Sequence, residues 1–78
     1  MKRTKYMIMT DKNTWRSTNA AEIVRYAVHL DNPWIYRKVT FSDGYHTITE
    51  WQRIDDRLEA LVSGGYIPKV FGKLLEKR

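Results

Sequence analysis

Two histidines, His29 and His46, are the first places to look for chemistry in this 78-residue chain, because imidazole titrates near neutral pH. His29 falls at the end of an expected helix, where a positive charge suits the helix dipole. His46 falls on an expected strand beside a hairpin. With Glu50 it offers two metal ligands, and zinc sites in proteins take three or four. Asp55 and Asp56 are neighbours on an expected helix, so they point in different directions and cannot work as an acid–base pair. No Ser, Thr or Lys has an activating neighbour at motif level. Gly64-Gly65 belongs to no phosphate-cradling pattern, and the chain has no cysteine for a disulfide or a thiolate site. The expectation is therefore a non-enzymatic protein with no catalytic residue, no cofactor and no metal, acting through a binding surface.

Apolar residues make up 42% of the chain, a globular rather than a disordered composition. Its length predicts one domain, residues 1–78, with a core too thin for a deep internal cavity. Fourteen Lys and Arg against nine Asp and Glu give a formal charge of +5, with both ends basic and the middle balanced. That charge favours polyanion partners only moderately. No apolar run is long enough to span a membrane. The start Met-Lys-Arg-Thr-Lys resembles a leader, but the apolar stretch after it is too short and lacks a cleavage site. A cytoplasmic protein is the simplest reading.

Lys5–Thr10 reads as a strand, Asp11-Lys12-Asn13 as a turn, and Thr14–Ser17 as a short return strand. Asn19 with Glu22 forms a capping-box pattern, and Ile23, Val24, Ala27, Val28 and Leu30 recur at helical spacing up to the stop at Asp31-Asn32-Pro33. Trp34–Phe41 is β-rich. Asp43-Gly44 calls for a hairpin with a type I′ or G1-bulge turn into Tyr45–Ile48. Thr49 with Gln52 predicts a second helix, whose apolar face is Trp51, Ile54, Leu58, Leu61 and Val62 and whose end is Gly64-Gly65. In the segment 66–78, Val70, Phe71, Leu74 and Leu75 predict a short third helix, with Lys69, Lys73, Lys77 and Arg78 on its opposite side. Tyr66-Ile67 could instead extend an edge strand.

The halves 5–30 and 36–62 look alike when shifted by 31 residues: Ile8 meets Val39, Asn13 meets Gly44, Thr18 meets Thr49, Ile23 meets Ile54 and Leu30 meets Leu61. This pseudo-repeat predicts an α+β fold of ββαββα order: one small antiparallel sheet, two helices on one face, and a short C-terminal helix. A layout without the Thr14–Ser17 strand, β-α-β-β-α-α, competes with it. In the repeat layout Ile8, Trp15, Val39, Phe41 and Ile48 face the helices, because strand side chains alternate. Met7, Met9, Arg16, Trp34, Tyr36, Lys38, Thr40 and Tyr45 face away.

From that set, with Arg37 added, the candidate binding surface is Arg16, Trp34, Tyr36, Arg37, Lys38 and Tyr45. Aromatic and Arg side chains are the usual anchors of interfaces. They are equally the large groups a thin core needs, so Trp34 and Tyr36 are also candidates for packing. The favoured function is a small protein-binding regulator or inhibitor. Phage and mobile-element proteins that act on host proteins such as nucleases share this size and plainness. Asp55, Asp56 and Glu59 would give the second helix an acidic side that repels phosphates. The alternative is a nucleic-acid-binding module that stacks bases on Trp34, Tyr36 or Tyr45. A homodimer is compatible with either.

Overall fold

The structure is a computed structural model and describes residues 4–77; Met1–Arg3 and Arg78, and with them the basic residues Lys2, Arg3 and Arg78, lie outside the described part. Four strands form one antiparallel sheet: β1 (Tyr6–Met9), β2 (Thr14–Ser17), β3 (Trp34–Ser42) and β4 (Thr47–Arg53), in the order β2-β1-β3-β4. The helices are α1 (Ala20–Ala27), α2 (Leu58–Ser63) and α3 (Gly72–Lys77), with single 3-10 turns at Asp55–Arg57 and Lys69–Phe71 leading into the last two. The α+β class and the ββαββα order match the sequence expectation, and the Thr14–Ser17 strand is present.

Caps explain where α1 begins and where α2 ends. Asn19 Oδ1 accepts hydrogen bonds from the amides of Ala21 and Glu22, so the N-cap is as expected. The reciprocal half of the capping box is replaced, because the Asn19 amide donates to Ser17 Oγ at 3.0 Å. The helix proper stops at Ala27 and Asn32 takes a left-handed φ of 47° before Pro33. At the other end of the chain, the amides of Gly65 and Tyr66 donate to the carbonyls of Val62 and Leu61. With φ of 76° at Gly65, this is a Schellman ending, and it needs the glycine the sequence supplies.

One expected element is wrong. Thr49 does not cap a helix: residues 47–53 are strand, and α2 starts only at Leu58. Pairing with the nine-residue β3, in unbroken register from Tyr36↔Arg53 to Ser42↔Thr47, outweighs the local helix signals. The residue-level repeat fails with it. Thr18 precedes a helix cap whereas Thr49 lies in mid-strand, and Gly44 has positive φ whereas Asn13 does not. Gly44 has positive φ and Tyr45 does not, so the turn is not type I′, which needs positive φ at both central residues. Tyr66-Ile67 forms no strand; Ile67 is buried and Tyr66 exposed.

The core lies between the sheet and the helices. Ile8 and Ile35, directly paired across β1 and β3, meet Ile23, Val24 and Ala27 of α1, Ile54, Leu58, and Phe71 and Leu74 of the C-terminal segment. The Tyr6 ring packs on Phe71 with centroids 5.0 Å apart. Trp15 stacks on Tyr26 at the edge of this core, 6.2 Å between centroids. Val39, Phe41 and Ile48 point to this side as expected, but Val39 is only half-buried and the helices do not cover Phe41 and Ile48. Phe41 is 50% and Ile48 61% exposed. An eight-residue α1 spans about 12 Å, and β1 pairs with β3 only over Trp34–Arg37. The rest of the β3–β4 hairpin projects as a two-stranded arm, and the molecule measures 42 × 30 × 22 Å.

Candidate binding surface on the open sheet face

The sheet face away from the helices is built by alternation. Met7 and Met9 from β1, Arg16 from β2, Trp34, Tyr36, Lys38 and Thr40 from β3, and Thr49, Trp51 and Arg53 from β4 share it, because cross-strand partners lie on one side. Four of the six candidate residues, Arg16, Trp34, Tyr36 and Lys38, are therefore brought together. Two are not. Arg37 pairs with Tyr6 and Gln52 and so faces the helices. Its Nε is buried with no hydrogen-bond partner among the described residues. Tyr45 lies in the turn of the arm, 93% exposed and off the sheet.

Trp51 and Arg53 belong to this surface and were missed because the sequence places them on a helix. Trp51 is its centre. The Arg16 guanidinium lies 5.8 Å from the Trp51 ring centroid, a cation–π arrangement that reaches from one edge strand to the other. Met7, between them on β1, is only 5% exposed although no helix covers this side. Trp34 is the most open aromatic of the set, at 40%.

The charges on this face are unequal. Arg53 makes a two-pronged pair with Asp55, Nε to Oδ1 at 2.8 Å and a terminal nitrogen to Oδ2 at 2.9 Å. Asp55 Oδ1 also accepts from the Ile35 amide, fixing the start of β3 to the end of β4. Burial opposes ionisation of Asp55, but the Arg53 and Ile35 hydrogen bonds outweigh it and hold the carboxyl below its ordinary value. Arg53 is thus matched, while Arg16 and Lys38 have no acidic partner among the described residues. No Asp or Glu side chain of the strands points to this face. On the other side, burial raises the Tyr6 hydroxyl above its ordinary value, with the Arg37 charge working against it.

Two shallow grooves flank the sheet. One of about 920 Å³ is lined by Tyr6, Thr18, Asn19, Tyr66 and Lys69 among others. The second, about 700 Å³, is lined in part by Trp34, Arg53 and Asp55, whose carboxylate is already engaged. Among the described residues no three of His, Cys, Asp or Glu gather where they could hold a metal ion. No described helix is long and apolar enough to cross a membrane. No protein-family model, curated protein or solved structure matches the chain.

Proposed function

We propose that the chain is a non-catalytic protein-binding module, a small regulator or inhibitor that lays its open sheet face on a partner protein. One observation carries the reading: three aromatics, Trp34, Tyr36 and Trp51, share with Arg16 and Lys38 a face to which no strand contributes an acid. Trp, Tyr and Arg dominate the energetics of protein interfaces, and a cationic border favours an acidic partner surface. Recovery from source-cell extract compares the wild type with Trp34→Ala and Trp51→Ala, each checked for fold by circular dichroism. The expected result is a partner enriched by the wild type and lost with both variants. Equal enrichment by all three, or none by the wild type, overturns the reading.

A second reading, nucleic-acid binding, is favoured by the absence of strand acids on the same face and by its stackable rings. Against it, Arg53 is matched by Asp55, which leaves two unmatched cations there. Two phosphate contacts give a salt slope of about −2, too shallow for tight backbone binding. A gel-shift series showing a much steeper slope, reduced by Lys38→Ala, would favour nucleic acid over protein.

A further inference from the structure

We infer that the chain pairs with a second copy of itself through the outer edge of β4, joining two four-stranded sheets into one of eight strands. The edge is open. The Asp43 amide donates to the His46 carbonyl, and the Ile54 amide to the Ile35 carbonyl. By the alternation of an antiparallel ladder, residues 48, 50 and 52 also bond to β3. Thr47, Thr49, Trp51 and Arg53 then turn their backbone N–H and C=O groups outward.

Natural edge strands are blunted by shortness, proline, bulges or inward charges. The other edge, β2, is four residues long. By contrast, β4 has seven residues, no proline and an unbroken register with β3, and its one charge on the covered side, Glu50, is exposed rather than turned into the core.

Self-pairing is favoured over a foreign strand by the side chains. On the covered side of the sheet, Phe41 and Ile48 face each other across β3 and β4 beyond the reach of the helices. When Ile48 lies opposite Ile48 of the second copy, the two pairs make one apolar row across four strands. In the same register Thr47 faces the second copy's Thr49, and Glu50 faces its His46, an imidazole beside a carboxylate. A two-residue slip one way sets Ile48 against Glu50, and a second slip sets Glu50 against Glu50. A slip the other way sets Ile48 against His46. Only one register joins apolar to apolar and carboxylate to imidazole. The inference does not depend on the open-face reading, since it uses neither Trp34, Tyr36 nor Arg16.

Sedimentation over a wide concentration range tests it. The wild type should pass from monomer to dimer, and Ile48→Asp and Thr49→Pro should each weaken the dimer by at least about tenfold, or 1.4 kcal/mol. The proline removes an outward amide and leaves the β3–β4 ladder intact. Because the chain has no cysteine, single-cysteine variants then read the register. Ile48→Cys should form a disulfide dimer under mild oxidation faster than Thr49→Cys or Glu50→Cys, since non-hydrogen-bonded partners lie closest. A monomer at every concentration, or a dimer insensitive to both edge variants, overturns the inference. Faster crosslinking at Thr49→Cys or Glu50→Cys overturns the register.

Discussion

The β1–β2 hairpin has four residues in each strand and runs almost directly into α1, whereas the β3–β4 hairpin has nine and seven and outruns every helix. In the first, the chain turns back early enough for its own helix to cover it. In the second, residues 47–53 extend the ladder, and the helix that follows is too short to cover the extension. The contrast runs along a single strand: Ile35 at one end of β3 is 1% exposed and Phe41, six residues on, is 50% exposed. Ladder hydrogen bonds and half-exposed cross-strand pairs such as Phe41–Ile48 maintain the arm, while hydrogen bonding plus full apolar burial maintains the body.

The largest effect expected from this contrast lies within β3 itself. Ile35→Ala should cost about 2–5 kcal/mol, because it empties a closed site. Phe41→Ala should cost under about 1 kcal/mol, the scale of an exposed cross-strand pair. Urea denaturation measures both, and equal losses would mean that the arm is part of the core.

Next comes Asp55, 7% exposed, which joins the end of β4 to the body. Asp55→Ala leaves the Ile35 amide without its acceptor and Arg53 without its partner, an expected loss of about 1–3 kcal/mol. Since the folded-state carboxyl is held below its ordinary value, its contribution is complete above the unfolded-state value of about 4. It is lost as pH falls through the lowered folded value. Stability measured against pH should therefore fall less steeply in acid for Asp55→Asn than for the wild type.

The smallest effect separates the two hairpin exits. Asn19→Ala should cost about 1 kcal/mol, because Asn19 caps α1 immediately after β2. Thr49→Ala, at the position the sequence marks as the cap of a second helix, removes no cap because Thr49 lies within β4, and it should leave the helices unchanged by circular dichroism.

What was legible in the sequence was local. Asn19, the Asp43-Gly44 turn and Gly65 each announce their role through chemistry that acts within four residues. The Asp43 turn goes further, since the Tyr45 and His46 amides donate to its carboxylate at 2.8 and 2.7 Å and lower its pKa. What was not legible was decided at a distance. Thr49 and Gln52 imitate a capping box, and Trp51, Ile54, Leu58 and Leu61 keep helical spacing, while Thr47, Thr49 and Trp51 also alternate as a strand does. The availability of β3 as a partner decides between the two patterns, and no window around Thr49 contains that information. Trp51 and Arg53 were lost from the candidate surface for this reason. Arg37 cannot share a face with Lys38, because neighbouring strand residues point to opposite sides of the sheet.

The three tryptophans are divided between the two sides of the sheet: Trp15 stacks on Tyr26 beside α1, while Trp34 and Trp51 share the open face. The molecule thus carries separate optical reporters. A ligand on the open face alters the emission of Trp34 and Trp51 and leaves Trp15 unchanged, whereas loss of the helical layer alters Trp15 first. Fluorescence from variants that retain one indole each can tell occupancy from unfolding without any added dye.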